Sequence, residues 1–338
     1  MSDQLFEDIL LAVENELQKQ VLRLDNPRTK PFHEMLTYHM GWTGEGAGPE
    51  ATGKRIRPLL VLLTAAAANA NGEWKSALPA AAAVELVHNF SLVHDDIEDN
   101  SEKRRGRPTV WVKWSVKQAI NAGDGLLVVS SQAITDLIAS YPADIVVQAS
   151  QILHNTCLEL TRGQYLDMSY ETRNDLAEED YWPMISGKTA TLLACCCELG
   201  ALLGGADEVT RDAYRSFGHY LGLAFQVQDD ILGIWGDEAV TGKSVASDLL
   251  EGKKSLPVLI GLGKKGEFAE RWAQGPITRE EVADVAKLLA SESAYTTTHE
   301  AAKQMTDMAV NSLRQADPQG AAGDALSALA GKLLGRTM

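Results

Sequence analysis

An all-helical fold is the expectation from three features of the sequence. Apolar residues recur at spacings of three and four, as at Leu5, Ile9, Leu10, Val13, Leu17 and Val21, the period that lines one face of a helix. Alanine and leucine, both strong helix formers, dominate the interior stretches, and the alternation expected of strands is scarce. Breaker-rich segments fall at 24–31, 41–53, 100–108, 174–178, 204–206, 236–252 and 275–278, and the pieces between them are mostly helix-sized. No fixed-period repeat, low-complexity tract or linker interrupts the 338 residues. The chain is therefore expected to form one domain over 1–338, a single large bundle of about ten helices or more around a central cavity.

Composition narrows the function. Hydrophobic residues make up 45% and charged residues 23% of the chain, enough apolar surface for a substantial core and too much for disorder. The 31 basic and 46 acidic residues leave a net charge of −15, which disfavours broad nucleic-acid binding. An anionic substrate must then be met by locally grouped cations or by metal on carboxylates. Cys157 stands alone and Cys195, Cys196 and Cys197 are adjacent, with no CxxC pair. Three neighbouring thiols on a helix point in three directions, so they read as buried, reduced packing residues rather than a zinc site. Residues 1–15 are acidic and amphipathic, unlike a signal peptide, and apolar stretches such as 78–84 are too short to span a bilayer. A cytoplasmic protein with no transmembrane segment is expected.

The stretch 85–108 reads ELVHNFSLVHDDIEDNSEKRRGRP, an apolar helix that ends in acids and then turns basic. Asp95 and Asp99 are four apart and share a face, with Asp96 between them. Like charges at that spacing repel, and a divalent cation removes the penalty; hard oxygen ligands suit Mg2+ when phosphates complete its shell. Taken alone, the motif reads more readily as a solvated acidic helix end. A second pair, Asp229 and Asp230, follows the apolar run 221–227 in FQVQDDILGIWGD. Two helices therefore each present carboxylates after a buried stretch. Facing each other across a bundle cavity, they would hold several magnesium ions around a diphosphate.

The cations near these acids are few and grouped. Lys54 and Arg57 lie three apart in TGKRIRP, Arg104 and Arg105 follow the first acidic motif, Lys188 opens KTATLL, and Lys243 and Lys253 bracket a glycine-containing loop. Arginine forks and lysine ammonium groups are what diphosphate oxygens require.

With DDIED followed by RRGRPT, FQVQDD, and the segments GKRIRP, ELVH, GQYLD and GKTATL in order, the chain resembles the trans-prenyltransferase family of short-chain isoprenoid diphosphate synthases from Gly53 to Pro257. The family includes the farnesyl and geranylgeranyl diphosphate synthases, with the isoprenoid synthase type of helical fold. The resemblance implies that Lys54, Arg57, His88 and Arg105 bind the diphosphate of isopentenyl diphosphate. Arg104, Lys188, Thr189, Gln226, Lys243 and Lys253 would hold the allylic diphosphate. Asp95, Asp99 and Asp229 would be direct ligands of magnesium, about three ions per active site, supported by Asp96, Gln164, Asp167 and Asp230. A homodimer is implied in the same way. The family often has a third aspartate four residues after Asp229, where this chain has Gly233, although Asp237 lies a turn further on.

No strong base is evident at the reacting carbon, and the resemblance implies that the departing pyrophosphate takes the proton and that His88 binds diphosphate instead. Phe90 lies five residues before Asp95, roughly 7.5 Å lower along the helix, where a ring would close a tunnel for the growing hydrocarbon. Ser91 beside it, with no two-residue insertion in the acidic motif, implies by resemblance a twenty-carbon product. Farnesyl or longer products are the alternatives.

Other classes fit less well. Glu85 and His88 form an ExxH pair, but a ferritin-like site needs two such pairs and no other histidine has a glutamate three residues before it. The stretch 236–244 ends in GKS with one residue too many for a P-loop. Terpene cyclases normally carry an Asn/Asp, Ser/Thr, Glu triad in place of the second acidic motif. A noncatalytic subunit of a heteromeric synthase usually loses site residues that this chain keeps.

Overall fold

The computed structural model describes residues 2–236 and 246–335, with side chains from residue 4 onward. The fold class is all-α, as expected. In chain order the helices are α1 (Ser2–Val21), α2 (Lys30–His39), α3 (Pro49–Thr52), α4 (Ile56–Ala68), α5 (Leu78–Glu98), α6 (Val110–Lys113), α7 (Val116–Thr135), α8 (Ala143–Tyr170), α9 (Glu178–Ile185), α10 (Thr191–Gly204) and α11 (Glu208–Trp235). Further helices include Leu256–Lys264, Val282–Ser291, Ala294–Ala316 and Gly320–Leu334. Among the described residues the only strands are β1 (Lys103–Arg104) and β2 (Arg107–Pro108). They form a small hairpin within the 100–108 break.

Two compact units divide the chain. The first comprises Met1–Asn155, Cys195–Arg211 and Asp317–Leu326. Its core is built on α4, where Leu60, Leu62 and Leu63 are fully buried, and on the alanine-rich half of α5. Each such leucine contributes about 1.5–3 kcal/mol relative to an exposed one. The C-terminal half of α10 packs against α4 so closely that a Cβ on Gly200 would stand 2.5 Å from the Val61 carbonyl. Cys196 and Cys197 are free thiols within this packing, and burial pushes Cys197 up to about 12, so both are inert fillers as their neighbours implied.

The second unit comprises Thr156–Ala194, Asp212–Ala316 and Ser327–Met338. Its core gathers Tyr181 from α9, Val227 and Ile231 from α11, Leu256 and Leu259 from the Leu256–Lys264 helix, and Phe268 and Leu289.

Short apolar runs understated the helices that contain them. Lys75–Glu98 and Glu178–Gly204 are long and apolar enough to cross a bilayer by length and composition, which corrects only the expectation that the apolar stretches are too short. Their apolar windows are 61% and 67% buried within the protein, and the helices carry Asp95 and Lys188, so they serve as core helices.

Candidate active site

In the first unit, α5 is buried from Ala80 to Val87 and carries its acids in the last turn. Asp99 caps the helix, its N–H donating to the Asp95 carbonyl at 2.8 Å. Asp95 is half-buried and Asp99 exposed. Asp96, rotated by about 100° from Asp95, turns inward. It is 2% exposed, and its Oδ1 accepts from Arg104 Nε at 2.9 Å and lies 2.8 Å from Nη2. Burial pushes the Asp96 carboxyl up despite the Arg104 charge. All three acids sit at the negative end of the helix dipole, so the cluster is held against local electrostatics.

The hairpin delivers the basic groups. Arg104 lies opposite Arg107, and the turn Arg105–Gly106 has φ of 52° and 75°, the paired positive values that a tight two-residue hairpin requires. Arg105 folds back onto the TGKRIRP loop, donating from Nη1 to the Ala51 carbonyl at 2.7 Å and covering Gly53. Arg57 and His88 are half-buried. His88 is held neutral, its pKa well below the usual value because of burial first and then the charges of Arg57, Arg105 and Arg104. Arg57, His88, Arg104 and Arg105 thus share one electrostatic neighbourhood. Lys54 is exposed beside it in sequence.

Three residues that the sequence did not single out complete this region. His39, from α2, is pushed down to about 3 by burial, then by Arg104, Arg105 and Arg55, and its buried Nε2 has no hydrogen-bond partner. Arg55 is 4% exposed and tied to Glu85 at 2.8 Å and Glu14 at 2.6 Å. That pairing commits Glu85 and closes the ExxH metal reading. Arg107 lies over the Tyr38 ring at 4.0 Å and donates to the carbonyls of Tyr38, Thr43 and Glu45, pinning the glycine-rich loop. Deeper on α5, the half-buried Phe90 meets His94 edge to face at 5.0 Å, and Ser91 Oγ donates to the His88 carbonyl at 2.8 Å.

In the second unit the GQYLD and GKTATL segments meet through glycine. Gly163 of α8 and Gly187 touch backbone to backbone: a Cβ on Gly187 would stand 2.8 Å from the Gly163 Cα, and one on Gly163 would overlap the Lys188 nitrogen. Residues Ser186–Ala190 form a π-helical turn between α9 and α10, three residues after Pro183. The crossing sets Lys188 in an ion pair with Asp167, and Gln164 is half-buried beside Gly163 in sequence.

Helix α11 packs on the same turn. A Cβ on Gly222 would lie 2.5 Å from the Ala190 Cα, and one turn further on Gln226 Oε1 accepts the Thr189 hydroxyl at 2.9 Å. Gln226 Nε2 donates to Asp230 Oδ1 at 2.9 Å, while Asp230 Oδ2 accepts Tyr181 OH at 2.7 Å and the Leu256 N–H at 3.1 Å. Asp230 is 5% exposed, and burial pushes it up to about 6 against these bonds. Asp229, next in sequence, is half-buried on another face. In both acidic pairs one carboxylate is buried and bonded within the protein, and its neighbour is half-buried. Gly233, on the Asp229 face one turn further, has the Asp248 carboxylate against it, with Cγ 2.6 Å from where a Cβ would stand.

Lys253 is exposed and paired with Glu251 at 2.8 Å. Lys243 and Asp237 lie outside the described residues. Among the described residues no group of three His, Cys, Asp or Glu gathers to hold a metal ion. The carboxylates come as hard-oxygen pairs, a donor set that suits Mg2+ when a ligand's oxygens and water finish the shell.

Acidic pairs and grouped basic side chains on an all-α scaffold are side-chain types that suit an enzyme of diphosphate substrates. Residues 48–291 match the family described as polyprenyl synthetase. The chain belongs to that family. Over 246 residues it is 45% identical to the geranylgeranyl diphosphate synthase of Mycobacterium tuberculosis, covering 72% of this chain and 69% of that protein. It is 42% identical over 267 residues to the (2E,6E)-farnesyl diphosphate synthase of the same organism, covering 78% of this chain and 73% of that protein. Among solved structures, the polyprenyl synthetase from Streptomyces coelicolor matches with a TM-score of 0.86 at 36% identity, covering 98% of this chain and 99% of that one. Geranylgeranyl pyrophosphate synthetase from Pyrococcus horikoshii matches with a TM-score of 0.86 at 31% identity, covering 99% of each.

Proposed function

We propose that this chain, acting as one polyprenyl synthetase domain, is a short-chain trans-prenyltransferase that condenses isopentenyl diphosphate with allylic diphosphates to geranylgeranyl diphosphate. The observation that supports the reading is the arrangement repeated in both acidic motifs: Asp96 and Asp230 are buried and bonded within the protein, while their sequence neighbours Asp95 and Asp229 are only half-buried.

The reaction breaks the carbon–oxygen bond of the allylic diphosphate, leaving an allylic cation and pyrophosphate. The double bond of isopentenyl diphosphate then attacks the cation, and the proton lost from the new chain passes to pyrophosphate. Magnesium bound by Asp95, Asp99 and Asp229 would neutralise charge developing on the leaving group. Lys188, Arg104, Thr189, Gln226, Lys243 and Lys253 hold the allylic diphosphate, with Lys188 oriented by Asp167 and Arg104 by Asp96. Groups aimed at the leaving oxygens act where charge develops, and losing one such contact typically costs about 3 kcal/mol in the barrier. Lys54, Arg57, His88 and Arg105 hold isopentenyl diphosphate for attack, so positioning adds to electrostatics. His88, kept neutral by its surroundings, hydrogen-bonds rather than adding charge.

The twenty-carbon product rests on Phe90 with Ser91 and on the relatives named geranylgeranyl diphosphate synthase. Relatives named farnesyl diphosphate synthase support a fifteen-carbon product as the second reading. A cytoplasmic homodimer is proposed on the same resemblance. Purified protein incubated with Mg2+, isopentenyl diphosphate and farnesyl or geranyl diphosphate should yield geranylgeranyl diphosphate by mass spectrometry. No product from the protein alone would favour a noncatalytic subunit.

A further inference from the structure

Asp230 must accept hydrogen bonds from every side. Tyr181 OH and the Leu256 N–H both donate to Oδ2, at 2.7 and 3.1 Å, and Gln226 Nε2 donates to Oδ1 at 2.9 Å. The amide nitrogen of Gln226 is thereby turned toward Asp230, and its carbonyl oxygen is left to accept the Thr189 hydroxyl at 2.9 Å. The polarity of the chain is set from its buried end. With its hydrogen given to Gln226, Thr189 Oγ1 meets a ligand through lone pairs, which suit a donor such as a metal-bound water rather than a bare phosphate oxygen.

Tyr181 itself is 1% exposed, in α9, with its ring edge to face with Trp182 at 5.3 Å. It lies seven residues before Lys188, on the far side of the π-helical turn, and its hydroxyl donates to Asp230 of the second acidic motif.

We propose that Tyr181 is a positioning residue for the magnesium-complexed diphosphate of the allylic substrate, acting through Asp230 and Gln226 on Thr189. The inference rests on the reading that the allylic diphosphate binds beside Lys188, Thr189 and Gln226, with Thr189 meeting it through a metal-bound water. It gives Asp230 the role of a relay that receives its orientation from Tyr181 and Leu256 and passes it on. A neutral or shortened partner at either end lets Gln226 flip its amide, which would reverse the polarity offered by Thr189.

Tyr181→Phe keeps the ring and removes only the hydroxyl, and is tested on the full chain in two ways. Steady-state kinetics should show the KM for the allylic substrate rising about 10-fold or more, the change expected from losing one hydrogen bond to a charged group, with the KM for isopentenyl diphosphate within about twofold of wild type. Isothermal titration with magnesium pyrophosphate, which needs no turnover, should show weakening of similar size. Adding Asp230→Asn to Tyr181→Phe should cost much less than it does in the wild-type background, because both changes break the same chain. Unchanged pyrophosphate affinity, equal rises in both KM values, or additive losses would each overturn the assignment. A wild-type protein that neither turns over nor binds magnesium pyrophosphate would instead remove the functional reading beneath it.

Discussion

Gly163 and Gly187 cross with their backbones in contact, the Gly163 Cα lying 2.8 Å from where a Cβ on Gly187 would stand. The two segments that carry Gln164, Asp167, Lys188 and Thr189 approach this closely because neither has a side chain at the crossing. Gly163→Ala drives a methyl into the Lys188 backbone nitrogen. Overpacking of this kind costs about 1–3 kcal/mol, and the variant should melt at lower temperature and lose about tenfold or more in kcat/KM as Lys188 is displaced. Wild-type melting and kinetics together would show that the crossing is not what sets Lys188.

The histidine of α2, half-buried with its Nε2 out of solvent, predicts a pH dependence of stability. His39 is lowered from 6.5 to about 3 by burial first and then by the neighbouring arginines. Between those values the unfolded chain binds a proton that the folded chain does not. Stability is therefore full above pH 6.5 and falls as pH is lowered through the window, at up to about 1.4 kcal/mol per pH unit for one such group. His39→Asn should flatten the decline in melting temperature between pH 6.5 and 5, leaving the share due to His88, which is depressed for the same reasons. Parallel curves for variant and wild type would contradict the assignment.

Gly233 is where the second acidic motif departs from the pattern with a third aspartate. A side chain there would collide with the Asp248 carboxylate, and an acidic one would also repel it. Gly233→Asp should therefore lower the melting temperature and give no gain in turnover or in apparent Mg2+ affinity. A more active, equally stable variant would mean that the site tolerates and uses the extra carboxylate.

Phe90 bears on product length. Its half-buried ring against His94 lies more than a turn below Asp95 on the same helix. Phe90→Ala should shift the product distribution beyond twenty carbons, read by mass spectrometry; an unaltered chain length would remove Phe90 as the floor.

The helices and both acidic motifs were legible because their signals are local. The three-and-four periodicity of Leu5 to Val21 is realised in α1, and among the described residues most breaker segments fall at helix ends, although 41–53 contains α3 and 236–252 contains the short helix Ser247–Leu250. Asp95 and Asp99 were paired by spacing alone. The inward turn of Asp96 and Asp230 follows from helix geometry, but their anchors do not: Arg104 is 8 residues from Asp96 and Tyr181 is 49 from Asp230. His39 carried no signal in α2, since its arginine neighbours arrive from the loop before α4 and from the hairpin. Arg55, sitting between the expected ligands Lys54 and Arg57, is indistinguishable from them in sequence and differs only in being folded onto Glu85 and Glu14. Contacts made by chain reversal over tens of residues leave no trace in a local window.

The account depends most on Asp95 and Asp229 both serving one metal-assisted ionisation. Product formation over a Mg2+ titration, with wild type, Asp95→Asn and Asp229→Asn at saturating substrates, tests this directly. Each variant should lose about 100-fold or more in kcat and need more Mg2+ for half-maximal rate. Near-wild-type turnover and Mg2+ dependence in either variant, with the fold intact, would contradict it.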